Sequence, residues 1–343
     1  MKRIRDYGII PGKMKTGPLN KISDVKGVTV GHVTVDTDEH KTGVTVILPC
    51  EDNPFTNKLT AAVYVHNGFG KSQGLIQIEE LGTLETPIAL TNTLNIGAVH
   101  DALTGIMIKR CEEEGVELTS VNPVIGECND SELNYIRERV IGVKEVVEAA
   151  ASATADFQEG AVGAGKGTVC FGLKGGIGSA SRTFTIGNDS YTMGVLVQSN
   201  FGSTENLVIN GRTVGQEIMD QIDPAILDRG SIMIILATDL PVSDRQLKRI
   251  LKRAGVGLGR TGSYMGHGSG DIMIGFTTAN RILEGKELHS ICMLKESTLE
   301  TAFRAAAEAT EEAVLNSLAM AETTTGYQGN TRYSLTELWL SKL

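Results

Sequence analysis

An unbroken apolar run of strand length, residues 232–237, limits what this chain can fold into more than any other stretch. A strand without alternating polar residues has no face suited to water, so both faces of its sheet must be covered. Turn-forming residues precede the run, namely Asp223-Pro224 and Asp228-Arg229-Gly230. We therefore expect Ser231 to lie where a turn enters a rigid, doubly buried strand.

The dipeptide Gly230-Ser231 at this entry permits an unusual reaction. Glycine has no β-carbon to shield its carbonyl and can adopt backbone angles that other residues avoid, so the serine hydroxyl could attack that carbonyl and split the chain. The cut would release an α-amine with a pKa of about 7.7–8.0, which suits a general base acting on the adjacent hydroxyl. Gly-Ser is also a common end of a turn before a strand, and the dipeptide itself does not distinguish the two interpretations.

Other segments predict two sheets with helices around them, because β-branched or apolar stretches indicate strands and apolar residues at three- and four-residue steps indicate helices. Strands are expected at 27–35, 42–48, 61–66, 87–91, 168–171, 183–186, 191–198 and 271–277, and helices at 95–111, 140–150, 243–253 and 295–321. The polar, turn-rich residues 202–228 predict a surface loop. Together these elements predict a single α/β domain over residues 1–343, built as a four-layer α/β/β/α sandwich.

The charge balance argues against some partners. The chain has 32 basic and 41 acidic residues, a net charge of −9, and no basic tract that could neutralise a row of phosphates, so nucleic acid is not an expected partner. The N-terminal segment has no apolar signal core, and no stretch reaches membrane-spanning length. These features predict a cytoplasmic protein without a membrane partner.

Neither a metal nor another cofactor is expected. The five cysteines share no C-x-x-C spacing and the six histidines never recur at the short spacing of a helical metal pair, so the thiols should be reduced and mostly in the core. Residues 160–166 match the first seven positions of a phosphate-binding P-loop, but Gly167 stands where that motif needs Ser or Thr, and a strand-like segment follows. A structural loop is the favoured interpretation.

Several separated blocks occur together along the chain. They are Gly17-Pro-Leu-Asn20, Asp24-Val-Lys-Gly-Val-Thr-Val-Gly-His32, Thr91-Asn-Thr-Leu-Asn95, Gly175-Gly-Ile-Gly-Ser-Ala-Ser-Arg182, Gln198-Ser-Asn200, Gly230-Ser-Ile232 and Gly268-Ser-Gly-Asp271. In this order they resemble the L-aminopeptidase D-alanine-esterase/amidase and β-peptidyl aminopeptidase family of self-cleaving N-terminal serine hydrolases. The resemblance implies the same four-layer fold, shared with N-terminal nucleophile hydrolases and ornithine acetyltransferases. It also implies cleavage into residues 1–230 and 231–343, and a homo-oligomer that is a tetramer of cleaved heterodimers.

The resemblance also implies roles for individual residues. Ser231 is the nucleophile, its own amine is the base, and the substrate is a short peptide, amide or ester with a free amine. Asn200 would donate hydrogen bonds to the oxyanion, although a turn asparagine is its ordinary interpretation. Ser269 and Asp271 would orient the nucleophile, and the strand period of two puts both on one face; a polar turn is the alternative. Glu127 would bind the substrate ammonium, whereas an isolated glutamate is more often a solvated charge.

Asn129 departs from the family pattern, which has an aromatic residue, in some relatives tyrosine, two positions after this glutamate. An asparagine could donate a hydrogen bond in its place, but with a shorter reach. The choice among L-α, D-α and β-amino residues therefore stays open. Two other functions also stay open, namely acyl transfer of the ornithine acetyltransferase type, whose nucleophile is threonine, and a small-molecule binding scaffold that never cleaves.

Overall fold

The computed structural model describes residues 1–222 and 229–343, and only the backbone of Arg229. The strands are β1 (Thr29–Asp36), β2 (Lys41–Leu48), β3 (Asn57–Gly68), β4 (Thr83–Leu84), β5 (Ile88–Asn92), β6 (Val124–Cys128), β7 (Val169–Cys170), β8 (Leu173–Lys174), β9 (Gly176–Ile186), β10 (Asp189–Asn200), β11 (Arg229–Thr238), β12 (Gly268–Leu283), β13 (Thr324–Thr325) and β14 (Thr331–Arg332). The α-helices are α1 (Leu75–Leu81), α2 (Ile96–Glu113), α3 (Val143–Ala151), α4 (Val214–Ile218), α5 (Asp244–Leu251), α6 (Ala254–Arg260), α7 (Glu300–Ala319) and α8 (Leu335–Leu338).

Two mixed sheets contain most of these strands. The smaller sheet has the order β1-β2-β5-β6 and is antiparallel except for the parallel pair β5-β6. The larger sheet has the order β4-β3-β12-β11-β10-β9 and is antiparallel except for the parallel pair β11-β12. The strand that the apolar run predicts, β11, therefore lies inside the larger sheet with a neighbour on each side.

Three buried apolar clusters define the layers. One lies between the sheets and includes Leu90 of the smaller sheet together with Met233 and Ile274 of the larger one. A second joins the outer face of the larger sheet to α5, α6 and α7, and a third joins the outer face of the smaller sheet to α2 and α3. The layer order is therefore helices, sheet, sheet, helices, which confirms the predicted four-layer sandwich.

Gly126 of β6 lets the two sheets approach each other closely. A β-carbon at this position would lie 2.6 Å from Cε of Met233 and 2.8 Å from Cδ2 of Leu90, which is closer than real β-carbons pack. Glu127 follows Gly126 on β6, and the next residue, Cys128, places its Sγ 3.5 Å from the backbone oxygen of Ser231 near the start of β11.

Residues 202–222 differ from the predicted surface loop. They contain α4 and two 3-10 turns, and the side chains of Leu207, Val214 and Ile218 are buried in the cluster between the larger sheet and its helices. The apolar residues come in short groups, Leu207-Val208-Ile209 and the i, i+4 pair Val214 and Ile218, and the polar residues between them led to the prediction of a loop. The predicted turn at residues 223–228 lies outside the described residues.

The cysteine prediction is confirmed for all five residues. All five are free thiols, four of them buried, and only Cys292 is exposed. Burial raises the pKa of the Cys50 thiol to about 11, because the thiolate is the charged form. Separately, no helix within the described part of the chain combines the length and apolar character needed to cross a membrane.

A buried group of charges holds α7 against the larger sheet. The fully buried Arg182 of β9 places Nη2 2.8 Å from Oε2 of Glu312 and Nε 3.3 Å from Oε2 of Glu308. Arg5 donates two further hydrogen bonds to Glu312, of 2.6 and 2.7 Å. Burial acts to raise the pKa of Glu312, but the hydrogen bond from Arg5 and the charge of Arg182 outweigh it and lower the pKa. The N-terminal segment, β9 and α7 are thus joined through one ionised carboxylate.

Replacing Arg182 by methionine should destabilise the fold strongly. The change leaves two buried carboxylates short of their cation, and breaking a buried pair in this way costs about 3–5 kcal/mol of unfolding free energy. Arg245→Met is the matched control, because Arg245 pairs with Glu296 on the surface and its removal should change stability little. Urea unfolding at pH 7 measures both variants, and similar losses in the two would contradict a special role for the buried group.

Candidate active site

Ser231 is held by strands on both sides. On one side it pairs with Asn200 in the antiparallel β10-β11 ladder, and on the other it pairs with Gly270 in the parallel β11-β12 ladder. The serine is only 6% exposed. Its backbone position is therefore set by main-chain hydrogen bonds and not by the packing of its own short side chain.

The residue before Ser231 has to be glycine in this structure. Gly230 has a φ of 155°, and a β-carbon on it would lie 1.8 Å from the carbonyl oxygen of Asn200. No side chain fits there without separating β10 from β11. The glycine thus serves the close pairing of the two strands, which also leaves its own carbonyl unshielded by a side chain.

Gly270 keeps the space beside the serine hydroxyl open. A β-carbon at this position would lie 2.9 Å from Oγ of Ser231 and 2.7 Å from the backbone oxygen of Phe69. The residues on either side, Ser269 and Asp271, are fully buried, and Oγ of Ser269 donates a 2.8 Å hydrogen bond to Oδ1 of Asp271. The predicted serine–acid pair is therefore formed and flanks the glycine that faces Ser231.

Asn67 holds the turn that leads into this pair. Its side-chain amide donates to the backbone oxygens of Gly266 at 3.0 Å and His267 at 3.2 Å, and also to that of Ser269. On β3, Asn67 pairs with Asp271, next to an irregularity in the β3-β12 register. Such bulges are common beside active sites, where they redirect a side chain.

Asn200 presents the amide end of its side chain to the site. Its Oδ1 accepts a 2.9 Å hydrogen bond from the backbone N–H of Val169. With the oxygen held in this way, the two N–H groups of the carboxamide point the other way, and Asn200 lines the same cavity as Ser231. A side-chain amide in this orientation can donate hydrogen bonds to an oxygen that gains negative charge.

Glu127 lies in the cavity wall with both carboxylate oxygens in use. The backbone N–H of Lys71 donates to Oε1 at 2.9 Å, and the hydroxyl of Thr93 donates to Oε2. The residue is only 2% exposed, so it is not the solvated surface charge that an isolated glutamate usually is. Two fixed donors orient the carboxylate and leave lone pairs that a cation in the cavity could reach.

The neighbouring Cys128 packs under Ser231. Its Sγ lies 3.5 Å from the backbone oxygens of Ser231 and Gln198. Burial, with the nearby Glu127 charge, raises the pKa of the Cys128 thiol well above its ordinary value. Cys128 is therefore a protonated packing residue at neutral pH and does not compete with the serine as a nucleophile.

One cavity of about 810 Å³ gathers most of these side chains. It is lined by Phe69, Lys71, Thr93, Glu127, Asn129, Ser131, Glu132, Val169, Gly172, Asn200, Gly202, Gly230, Ser231, His267, Gly268 and Arg332. Of the sequence-predicted residues, only Ser269 and Asp271 are absent from the lining, because they lie buried behind it. Asn129 is exposed, and its Oδ1 accepts a 3.0 Å hydrogen bond from the N–H of Ser131 in its own turn.

Four residues that contact the site had no predicted role. Thr93 and Lys71 hold Glu127, Val169 holds Asn200, and Gly270 leaves room for Ser231. Thr93 lies inside the block Thr91-Asn-Thr-Leu-Asn95, so the sequence did indicate that this residue belongs to the site region. The Val169 contact is made by a backbone N–H, and a backbone donor leaves no trace in residue type.

A separate surface group could hold a metal ion. Ligand atoms of Glu39, His40 and Glu138 lie within 4.8 Å of one another, although none of the three lines the cavity. Nδ1 of His40 lies 3.2 Å from Oδ1 of Asn134, and Nε2 lies 2.8 Å from Oε2 of Glu138. The residues come from distant parts of the chain, so sequence spacing did not reveal them, and the absence of a metal stays a prediction.

The sequence is similar to that of a known peptidase family. The model of peptidase family S58 matches residues 20–332. The chain belongs to peptidase family S58. Among curated family S58 relatives, a β-peptidyl aminopeptidase of Sphingosinicella microcystinivorans is 37% identical over 355 residues, covering 96% of this chain and 88% of the relative. The chain is therefore a serine aminopeptidase or amidase of the N-terminal nucleophile type.

Solved structures of similar proteins have the same fold. A Pyrococcus horikoshii OT3 protein superposes with a TM-score of 0.93 at 48% identity, covering 99% of this chain and 98% of its own. The L-aminopeptidase D-Ala-esterase/amidase of Ochrobactrum anthropi, a prototype serine aminopeptidase with a variant of the N-terminal nucleophile hydrolase fold, gives 0.92 at 36% identity, covering 97% and 95%. The likeness to N-terminal nucleophile hydrolases is thereby confirmed.

The Gly270→Ala variant should lose most of its activity while remaining folded. The added methyl group would meet the backbone oxygen of Phe69 as well as the Ser231 hydroxyl, so both must shift, and a displacement of roughly 1 Å can cost on the order of 100-fold in rate. Gly105→Ala in α2 is the control, because a β-carbon there meets no atom within 4 Å. Hydrolysis of an amino acid p-nitroanilide is the measurement, with circular dichroism for the fold. Full activity in Gly270→Ala would mean that this close contact does not constrain the nucleophile.

Proposed function

We propose that the chain cleaves itself between Gly230 and Ser231, and that Ser231 then removes the amino-terminal residue from short peptides, amides or esters. One observation carries the proposal. The Ser231 hydroxyl, the Asn200 amide and the Glu127 carboxylate all line one cavity at the start of a buried strand. Such a cavity supplies a nucleophile, an oxyanion donor and an anionic partner for a substrate ammonium.

Self-cleavage would use the same serine hydroxyl as substrate hydrolysis, but its base cannot be the Ser231 amine, because that nitrogen is still part of the Gly230–Ser231 peptide bond. The Ser231 hydroxyl adds to the carbonyl carbon of Gly230, the C–N bond breaks, and the acyl group moves from nitrogen to oxygen. Water then hydrolyses the ester and leaves a Gly230 carboxylate and a free Ser231 amine. The unshielded carbonyl of Gly230 and the close approach of Asn200 on the paired strand favour this first attack.

Substrate hydrolysis follows as two acyl transfers. Ser231 Oγ adds to the substrate carbonyl while its proton passes to the free α-amine of the same residue, whose ordinary pKa of about 7.7–8.0 leaves it basic near neutral pH. The leaving amine or alcohol takes that proton, and water activated by the same amine releases the acyl group. Asn200 would stabilise the oxyanion in both halves, and the Ser269-Asp271 pair would orient the amine and hydroxyl.

The buried Glu127 would restrict the enzyme to amino-terminal residues. Its carboxylate is held by Lys71 and Thr93 and cannot turn away toward solvent. A free ammonium placed on it fixes the distance from the amino end of the substrate to the carbonyl that Ser231 attacks. A blocked amine leaves the carboxylate without a counter-charge, which is costly in a desolvated pocket.

The chemical class of the amino-terminal residue that is removed is inferred from the relatives and from the cavity. The relatives are a β-peptidyl aminopeptidase and an L-aminopeptidase D-Ala-esterase/amidase, which differ in the substrates that their names give. Asn129 engages its own turn and is exposed at the cavity, so it contributes little bulk there. We propose a cavity that accepts small amino-terminal residues, with β-amino residues included. We also propose that the cleaved chains assemble as a homo-oligomer.

The purified protein should consist of two pieces, residues 1–230 and 231–343, on a denaturing gel. Ser231→Ala removes the attacking hydroxyl and should leave one full-length band. Ser269→Ala tests whether the Ser269 hydroxyl can make the cut in place of Ser231. This variant should be processed more slowly, and at the same peptide bond. Intact-mass spectrometry and N-terminal sequencing locate the cut. A small piece that begins at any residue other than Ser231 would refute the proposal, as would an uncut parent chain after long incubation.

The Glu127→Gln variant should separate amine recognition from catalysis. Glutamine keeps an oxygen that can accept from the Lys71 N–H and has nearly the same shape, but it carries no charge. For substrates with a free amine, kcat/KM should therefore fall by the equivalent of about 2–5 kcal/mol. N-acetylated substrates should have a low kcat/KM with the parent enzyme, and this kcat/KM should fall much less in Glu127→Gln. The measurement uses p-nitroanilides of glycine, L-alanine, D-alanine and β-alanine, free and acetylated, with cleavage verified in both proteins. Equal losses for free and acetylated substrates would assign Glu127 to the fold.

A further inference from the structure

Lys174 is a fully buried lysine whose ammonium binds only backbone carbonyls within the part of the chain that the structure describes. Nζ donates to the oxygens of Gly165 at 2.9 Å, Thr168 at 2.8 Å and Gly175 at 2.7 Å. These bonds satisfy all three of its N–H groups. A buried cation costs free energy unless it is well coordinated, so its presence behind the active-site cavity calls for a functional account.

One of these carbonyls belongs to the peptide group that holds Asn200. The peptide between Thr168 and Val169 accepts a hydrogen bond from Lys174 at its C=O and donates one to Oδ1 of Asn200 through its N–H, at 2.9 Å. The β7-β8 ladder pairs Val169 with Lys174 and so sets this arrangement. The N–H of Gly175 also donates to the Thr168 oxygen, at 3.0 Å. A continuous hydrogen-bonded path therefore runs from the ammonium to the carboxamide.

Each bond along this path polarises the next. A charge-assisted bond at the carbonyl draws electron density toward the cation, which makes the N–H of the same peptide a stronger donor to Asn200. A stronger bond at Oδ1 in turn makes the Nδ2 hydrogens of Asn200 more positive. Those hydrogens face the cavity in which the oxyanion would form. The buried setting strengthens the effect, because the surrounding dielectric is low.

We propose that Lys174 is a positioning residue for the reaction, which orients and polarises the Asn200 amide through the 168–169 peptide so that it binds the oxyanion more strongly. This inference rests on the proposed role of Asn200. Lys174 touches neither substrate nor nucleophile, since it is absent from the cavity lining. Its contribution is to the stability of the transition state, in which the oxyanion charge is largest.

The charges around Lys174 make this contribution depend on pH. Burial, followed by the positive charge of Lys166, lowers its pKa to about 7, whereas Asp130, Cys170 and Glu322 act to raise it. The ammonium is therefore present below about pH 7 and is lost as the pH rises through that value. Burial also raises the pKa of Asp130 to about 7, so the two groups titrate over the same range. The kcat should accordingly contain a limb that falls with rising pH.

Lys174→Met tests the proposal, with Lys166→Met as the matched control. Lys166 is another buried lysine of the same region, but its Nζ binds the carboxylates of Asp36 at 2.7 Å and Glu322 at 3.7 Å. Lys174→Met should lower kcat per cleaved enzyme by about 10-fold at pH 7, less than the roughly 100- to 1,000-fold cost of removing an oxyanion donor itself. Lys166→Met should stay within about twofold of the parent at pH 7.

Inhibitor binding distinguishes this role from a merely structural one. An amino aldehyde forms a tetrahedral adduct with the serine and carries an oxyanion, whereas the corresponding amino alcohol does not. Lys174→Met should weaken binding of the aldehyde by about the same factor by which it lowers kcat. It should change binding of the alcohol by no more than about twofold. Equal weakening of both inhibitors, or an unchanged kcat, would overturn the proposal. A parent enzyme that hydrolyses no amino-terminal substrate and binds neither inhibitor would instead refute the proposed function.

The pH profile provides a second test that does not need Lys174→Met to fold. Lys166→Met removes the charge that lowers the pKa of Lys174, so the falling limb of kcat should move to higher pH. The limb of kcat that rises with pH, which reports the amine base, should stay in place. A falling limb that coincides in the parent and in Lys166→Met would overturn the proposal.

Discussion

The close pairing of β11 with β10 on one side and β12 on the other is the constraint on which the site depends. The carbonyl oxygen of Asn200 occupies the space that any side chain at residue 230 would need, and Oγ of Ser231 lies 2.9 Å from where a side chain at 270 would begin. Two glycines therefore permit three strands to approach one another at one level. The hydroxyl, the amide and the Ser269-Asp271 pair are arranged by main-chain geometry first, and side-chain contacts refine their orientation.

Sequence reasoning succeeded where a local pattern and a buried element coincided. The apolar run 232–237 predicted β11. The segments 27–35 and 42–48 predicted β1 and β2, which pair as the antiparallel strands of a hairpin. It failed where the determinant is not local. Glu127 lies on β6, a strand of five residues whose apolar pattern is broken by Gly126 and by the glutamate itself, and no strand was predicted there.

The same distinction applies to the site. Asn200 and Ser231 stand at the ends of recognisable strands, so their approach could be anticipated from the family resemblance. The bond from the N–H of Val169 to Asn200 spans 31 residues and involves no distinctive side chain, so no pattern in the sequence could indicate it. Residues 202–222 show the converse, because their many polar residues concealed the short apolar groups that pack into the core.

The strand order of the larger sheet has a consequence for the mature protein. A cut before Ser231 would assign β11 and β12 to the small piece, while β10 on one side and β3 on the other would belong to the large piece. The two strands of the small piece would thus be hydrogen-bonded between β10 and β3 of the large piece. Separation would require two ladders to open together, so continuity of the covalent chain is not what keeps the new terminus in place. If the chain is cut before Ser231, the strand order would therefore hold the new N-terminus in the site without a covalent link to the preceding residues.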